Sequence, residues 1–156
     1  MWPPVEPSAL EGRYVTLRRL VPDDAEALLA AADDSVWTYL SYGPWPDAAT
    51  YGTWIAANAG GADPLFLAVL VDGDPRGVVS YLRTDRAHGV VEIGHIWYAP
   101  SIQRTRATTE VTYLLARHAF DDLGYRRLEW KCNALNARSR QAAERFGFTY
   151  EGPTRT

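Results

Sequence analysis

The sequence contains little cysteine, carries no excess of positive charge and has no long apolar run. Its single cysteine, Cys132, excludes an internal disulfide framework and fits a reducing, cytoplasmic compartment. The net charge of −3 argues against a nucleic-acid-binding surface, because such domains are usually strongly basic. The Pro-rich, acidic start lacks the pattern of a signal peptide, and no apolar run approaches membrane-spanning length, so no membrane partner is expected.

Several motifs that define other enzyme classes are also missing. The chain has no G-x-S-x-G nucleophile elbow, no P-loop lysine and no C-x-x-C pair. Its three histidines, His88, His95 and His118, lack the spacing of metal ligands, so no metal is expected. The missing P-loop and Rossmann fingerprints disfavour an unrelated nucleotide-binding domain.

The 156 residues fit one domain, residues 1–156, in which residues 1–10 form an ordered arm or a frayed tail. The pattern predicts an α/β fold whose antiparallel first half meets a strand–helix–strand unit with a parallel pair. Strands are predicted for Arg13–Leu20, Leu65–Val71, Gly77–Arg83, Val90–Tyr98, Arg127–Asn133 and Phe148–Glu151. Helices are predicted for Ala25–Ala32, Asp47–Asn58 and Ala137–Phe146, and a further helix has Ala107, Val111, Leu114, Leu115 and His118 on one face and ends at Gly124.

Glu92 interrupts the otherwise apolar and aromatic strand Val90–Tyr98. On a period of two it would share a strand face with Gly94, Ile96 and Tyr98. Burial of an unpaired carboxylate is costly and favours proton uptake, as a general base requires. The alternatives are an ion pair with an arginine or a more exposed position at the end of the strand.

A polar loop follows this strand and leads into a helix. Thr105 is a candidate N-cap, which places Arg106 in the first helical turn. Cations are normally unfavourable at a helix N-terminus, so Arg104 and Arg106 there indicate a bound anion. The alternative is that both arginines extend into solvent.

The same arrangement recurs later in the chain. Asn136 is a natural N-cap, and Arg138 and Arg140 lie in the first turn of the helix that follows. Two such helix starts after adjacent parallel strands suggest one ligand with several phosphates. The hydroxyl of Ser139 is a candidate proton donor, although an ordinary serine at this helical position is the commoner explanation.

An aromatic-rich stretch lies between the first two helices and runs into the second. It either forms a satellite core or lines a pocket, because aromatic side chains with polar tips suit ligand sites. Its members are Trp37, Tyr39, Tyr42, Trp45, Tyr51 and Trp54.

Seven segments occur in an order that is typical of one known family. They are LEGRYVTLRRLVPDDAEAL, VWTYLSYGPWPD, DPLFLAVLV, GVVSYLR, VEIGHIWYAPSIQRTRATTE, RRLEWKCNALNARSRQAAERFGF and YEG. Over residues 10–151 the chain resembles the GNAT superfamily of acyl-CoA N-acyltransferases. Within that superfamily it resembles the Rim-type branch, named for ribosomal-protein N-terminal acetyltransferases.

The resemblance implies a mixed sheet with flanking helices, splayed between the strands Val90–Tyr98 and Arg127–Asn133, with acetyl-CoA in the gap. Glu92 corresponds to the family's general base, and Ser139 to a serine proposed to protonate the leaving thiolate. The implied cofactor contacts are Ile96, Tyr98, Gln103, Arg104, Thr105, Arg106, Ala107, Thr108, Asn136, Arg138 and Arg140. The segment that contains Trp37, Tyr39, Tyr42 and Trp45 corresponds to the border of the acceptor site.

Two departures from the family pattern stand out. Arg106 and Thr108 replace small residues of the pyrophosphate loop, so their side chains either crowd the phosphates or bind them. The chain also stops shortly after Phe148–Glu151, which leaves out the strand that normally follows, or reflects truncation. An open sheet edge invites a second copy, and hence a homodimer, or the N-terminal arm.

We therefore expect an acetyl-CoA-dependent N-acetyltransferase that transfers the acetyl group directly to a primary amine in a ternary complex. The acceptor is a small-molecule amine or a protein N-terminus. The alternative is a non-catalytic CoA-binding or dimerising module with the same fold.

Overall fold

The computed structural model describes residues 1–38 and 40–130, which form a six-stranded mixed sheet with helices packed on it. The strands follow one another in spatial order, each paired with the next. The first five pair antiparallel, and the last two run parallel, as predicted. The strands are β1 (Ala9–Glu11), β2 (Thr16–Arg19), β3 (Leu65–Val71), β4 (Asp74–Asp85), β5 (Val90–Tyr98) and β6 (Arg127–Trp130).

Over the described residues, three α-helices accompany this sheet: α1 (Ala25–Ala31), α2 (Ala48–Asn58) and α3 (Arg106–Arg117). Short 3₁₀ turns span Pro22–Asp24 and Asp34–Trp37, and a π-helical turn over His118–Asp122 extends α3. The α2 helix begins one residue later than predicted, because Asp47 is its N-cap and accepts a hydrogen bond from the Thr50 N–H at 2.7 Å. The predicted helix Ala137–Phe146 and strand Phe148–Glu151 lie outside the described residues, as do Tyr39 and Cys132.

Two clusters of buried apolar side chains lie on the two faces of the sheet. The α3 cluster contains Val79, Tyr81, Val91 and Ile93 together with the buried side of α3. The α1–α2 cluster contains Phe66, Ala68, Val78 and Trp97 together with the buried sides of the first two helices. The sheet alternation predicts this division, since neighbouring strand residues point to opposite faces.

The first eight residues are an ordered arm rather than a frayed tail. Residues 9 and 10 already belong to β1, which pairs with β2, so the arm is shorter than predicted. The Trp2 indole N–H donates to the Gly124 carbonyl at 2.8 Å, and the Tyr125 hydroxyl donates to the Pro3 carbonyl at 2.6 Å. The arm therefore fastens to the loop between α3 and β6.

One extra residue in β5 changes the predicted side-chain alternation. Val78 of β4 lies opposite Trp97, but Ser80 lies opposite Gly94, so two steps on β4 match three on β5. This is a β-bulge, and His95 within it has a φ of +50°. Ile96 and Tyr98 consequently pack against the α3 cluster, and the prediction that they share a face with Glu92 is wrong.

None of the helices within residues 1–38 and 40–130 combines the length and the apolar character that crossing a membrane requires. Over the same residues, no three His, Cys, Asp or Glu side chains are grouped as a metal site would need.

Candidate active site

The Glu92 side chain is buried on the face of the sheet that carries the α1–α2 cluster. Only 5% of it is exposed. Its cross-strand partner on β4 is Leu82, which is also buried. One guanidinium nitrogen of Arg83, Nη1, donates to both carboxylate oxygens at 3.0 Å. The ion-pair alternative for Glu92 is therefore correct as a description of its contacts, and its role as a base remains a prediction.

Arg83 is held in an unusual backbone conformation beside this carboxylate. Its φ is +48°, a left-handed value that a residue with a long side chain rarely adopts. The Asp63 carboxylate stabilises it by accepting hydrogen bonds from the backbone N–H groups of Arg83 and Thr84, both at 2.9 Å. The arginine stem is thus fixed at the backbone, while 65% of its side chain is exposed.

His95 lies within the bulge of β5, and its ring packs among aromatic rings. Its ring centroid is 5.2 Å from that of Phe66 and 5.8 Å from that of Tyr42. Burial lowers the pKa of His95, the positive charge of Arg83 lowers it further, and the negative charge of Glu92 opposes both. His95 is therefore predominantly neutral near pH 7, and the three charged or titratable groups are electrostatically connected.

The backbone groups of Ile96 and Tyr98 point away from β4. The Ala99 N–H donates to the Arg76 carbonyl on β4, and successive residues of a strand direct their N–H and C=O groups to alternate sides. The described pairing with β6 covers only Val90 to Ile93. The orientation agrees with the expected cofactor contact, although Tyr98 O already accepts a hydrogen bond from the Gln103 amide at 2.9 Å.

The loop from Gln103 to Thr108 starts α3 at the predicted N-cap residue, but without a side-chain cap hydrogen bond. Thr105 stands at the N-cap position, yet its hydroxyl donates to the Ile102 carbonyl at 2.6 Å and makes no cap hydrogen bond. The prediction that Thr105 is the N-cap and Arg106 lies in the first helical turn is confirmed, although the preceding turn uses the Thr105 hydroxyl. Ala107 and Thr108 are buried, and the Thr108 hydroxyl donates to the Thr105 carbonyl at 3.0 Å.

The two arginines of this loop have different surroundings. Arg104 is exposed and has a φ of +58°. Arg106 is exposed too, but its Nη1 donates to the Tyr14 hydroxyl at 3.3 Å. The solvent alternative therefore describes Arg104 better than Arg106, and an anion at this helix start remains a prediction.

The aromatic stretch divides into a buried part and a half-buried part. Trp37 and Tyr51 are buried members of the α1–α2 cluster. Tyr42 and Trp45 are half-buried, and Tyr42 also stacks beside Trp54 at a centroid distance of 4.3 Å. Burial raises the pKa of the Tyr42 hydroxyl, which therefore stays protonated throughout the neutral range.

Sequence reasoning missed Arg83 and Asp63 as parts of this site. Both contacts depend on which strand neighbours β5 and on a left-handed residue near the end of β4. The sequence carries no local signal of that conformation, since Arg83 is neither glycine nor asparagine. The predicted site residues Tyr39, Asn136, Arg138, Ser139 and Arg140 lie outside the part of the chain that the structure describes.

The sequence and the fold of the chain both match one family. The family model for the acetyltransferase (GNAT) domain matches residues 15–149, and the chain belongs to the GNAT acetyltransferases. None of the curated proteins compared with the chain matched it.

Solved structures with the same fold support this assignment. A GCN5-related N-acetyltransferase from Brucella melitensis is 40% identical, with a TM-score of 0.92 over 97% of this chain and 72% of that one. A GNAT-family protein from Chromobacterium violaceum ATCC 12472 is 38% identical, with a TM-score of 0.88 over 97% and 78%. The microcin C7 self-immunity acetyltransferase MccE, solved with acetyl-CoA and AMP, shares the fold at 24% identity, with a TM-score of 0.73 over 95% and 86%.

Proposed function

We propose that the protein transfers the acetyl group of acetyl-CoA directly to a primary amine, with Glu92 as the general base. The observation that carries the proposal is a carboxylate buried on β5, beside a bulge after which the backbone groups of Ile96 and Tyr98 are directed away from β4. This arrangement supports a proton acceptor close to backbone groups with which an extended cofactor arm can form hydrogen bonds.

The transfer is balanced without a metal or a redox partner. The amine nitrogen forms a bond to the acetyl carbonyl carbon, and the carbon–sulfur bond of the thioester breaks. Glu92 takes the proton that the amine loses, directly or through one water. The departing CoA thiolate takes a proton from a donor, for which Ser139 remains the candidate. Backbone N–H groups near Ile96 stabilise the oxyanion that forms between these steps.

The cofactor assignment rests on the loop that follows β5. Gln103 ties the loop to the end of β5 through the Tyr98 carbonyl, and Arg104 presents a cation beside the start of α3. A helix N-terminus with adjacent cations suits a pyrophosphate. Asn136, Arg138 and Arg140 complete the proposed cofactor contacts, and the Rim-type resemblance keeps a protein N-terminus among the acceptors.

An assay that separates binding from turnover tests this function. Release of CoA thiol is measured with acetyl-CoA and a panel of amines, and the dissociation constant of CoA is measured separately. Glu92→Gln preserves the side-chain shape and removes the proton acceptor, so turnover should fall about a hundredfold or more while CoA affinity stays nearly unchanged. Glu11→Gln, at an exposed position of β1, is the charge-matched control.

Two outcomes would contradict the proposal. Full turnover by Glu92→Gln across pH would reduce Glu92 to a structural role, and His95 would become the next candidate base. Tight CoA binding by the wild type with no turnover of any amine would favour a non-catalytic CoA-binding module.

A further inference from the structure

Arg83 and Glu92 form an ion pair whose geometry leaves most of the arginine unused. Only Nη1 contacts the carboxylate, whereas the strongest arginine–carboxylate pairs use two guanidinium nitrogens. Within residues 1–38 and 40–130, Nη2 and Nε of Arg83 have no hydrogen-bond partner. The side chain is 65% exposed, so these donors face solvent.

The position of this guanidinium is nevertheless built into the fold. The left-handed backbone of Arg83 is strained, and Asp63 stabilises it with two backbone hydrogen bonds at 2.9 Å. Compensating the charge of the buried Glu92 carboxylate occupies Nη1 alone and leaves the other donors of this fixed guanidinium available. The structure therefore holds a cation with free donors next to the proposed base.

An amine acceptor that reaches Glu92 must share the carboxylate with Arg83 or displace it. If the acceptor brings its own carboxylate, the guanidinium exchanges an internal partner for an external one, and no charge is left unpaired. The half-buried ring of Tyr42 lies 5.8 Å from the ring of His95, the neighbouring titratable residue on β5. The pair is thus complementary to a ligand with both an amine and a carboxylate.

We propose that Arg83 is a specificity-determining residue that selects primary amines bearing a carboxylate within a few bonds of the nitrogen. This inference rests on the proposed function, because it takes Glu92 as the site of amine deprotonation. The chemistry is shared by a free amino acid and by a peptide with an acidic N-terminal residue.

Matched acceptors isolate the effect of the carboxylate. One pair is an amino acid and its carboxamide, and the other is a peptide beginning with Asp and the same peptide beginning with Asn. The readout is the ratio of kcat/KM within each pair, which a uniform loss of activity does not change. A preference in the first pair alone identifies a free amino acid, and one in the second pair alone identifies a peptide N-terminus.

The wild type should favour the carboxylate-bearing member of at least one pair. Arg83→Ala should reduce that preference about tenfold or more, the range that a lost charge-assisted hydrogen bond corresponds to. Arg83→Lys should retain part of it, because a charge remains without the planar donors. Arg117→Ala, which removes a cation from the far end of α3, should leave the ratio unchanged.

Thermal unfolding of each variant accompanies the assay. If Arg83→Ala does not fold, Arg83→Lys and Asp63→Asn test the role of Arg83 instead. Asp63→Asn weakens the hydrogen bonds to the Arg83 and Thr84 backbone N–H groups and should therefore weaken the preference. A wild type without preference, or folded variants that keep it, overturns the role of Arg83 and leaves acetyl transfer intact. A wild type that acetylates no amine overturns both proposals.

Discussion

The carboxylate of Glu110 on α3 fills the space that a side chain at Gly12 would need. There it accepts hydrogen bonds from the backbone N–H groups of Arg13, Tyr14 and Val15 at 2.8, 2.7 and 2.8 Å. The turn between β1 and β2 is thereby fixed to the second turn of α3, the helix that carries the proposed cofactor loop at its start.

Gly12→Ala should destabilise the protein because its methyl group overlaps the Glu110 carboxylate. We expect a loss of about 1–3 kcal/mol in the free energy of unfolding, as overpacking of a fixed contact typically costs. Gly60→Ala is the control, since nothing lies near a Cβ at that position. Denaturant unfolding with equal effects of the two changes would refute the contact.

The Glu110 contact should also make stability depend on acid. Desolvation raises the pKa of Glu110, but the backbone donors of Tyr14, Val15 and Arg13 and the Arg13 charge lower it below its usual 4.5. The stabilisation is therefore present above that value and is lost as pH falls through the folded pKa. Unfolding curves of wild type and Glu110→Gln should differ at pH 6 and converge in acid, and a constant difference would contradict this.

Arg104 and Arg106 should contribute unequally to cofactor binding. Replacing both with Ala should weaken CoA binding, and more so at low salt because screening is weaker. Arg104→Ala should account for most of the loss, because the Arg106 guanidinium already contacts Tyr14. Titration calorimetry at two salt concentrations measures this. Unchanged affinity of the double variant would remove the loop from the cofactor site.

Alanine substitutions at Trp45 and Trp37 should have different effects, one on acceptor binding and the other on the stability of the core. Trp37 is a buried member of the α1–α2 cluster, so Trp37→Ala should cost about 3–5 kcal/mol of stability. Trp45 is half-buried, and Trp45→Ala should instead raise the acceptor KM more than the acetyl-CoA KM. Equal effects on both KM values, together with a lower Tm, would identify Trp45 as core.

The pKa of His95 offers a test of the site that needs no activity. Burial and the Arg83 charge lower this pKa, and the Glu92 charge raises it. Arg83→Ala should therefore raise the pKa of His95, and Glu92→Gln should lower it further below 6.5. Histidine ring signals followed by NMR across pH provide the values. Shifts in the same direction for both variants would show that the two charges do not face His95.

The sequence predicted the elements of this fold better than it predicted the contacts of the site. Leu65–Val71 and Val90–Tyr98 are strands with the predicted bounds, because long apolar and β-branched runs carry a clear periodic signal. The bulge at His95 was missed since one extra residue leaves the strand's composition unchanged. Thr105 is the N-cap as predicted, but its hydroxyl bonds the Ile102 carbonyl, because two local hydrogen-bond patterns compete for that group.

The contact between Arg83 and Glu92 could not be predicted from the sequence for a different reason. An arginine was named as an alternative partner, but choosing Arg83 requires the register of β4 against β5. It also requires the hydrogen bond from the Arg83 backbone N–H to the Asp63 carboxylate, which joins residues twenty positions apart in the chain. Such contacts exist only once the sheet has formed, so the hydrophobic periodicity of the sequence does not predict them.

The bulge in β5 also constrains how this chain can change over evolutionary time. Deleting His95 would restore an unbroken ladder with β4 and would produce a more regular strand. It would also turn every later side chain of the strand to the opposite face of the sheet. Trp97 would leave the α1–α2 cluster, and Ile96 and Tyr98 would leave the α3 cluster. A point substitution in this strand changes one side chain, whereas a change in the strand's length moves all later side chains to the opposite face of the sheet at once.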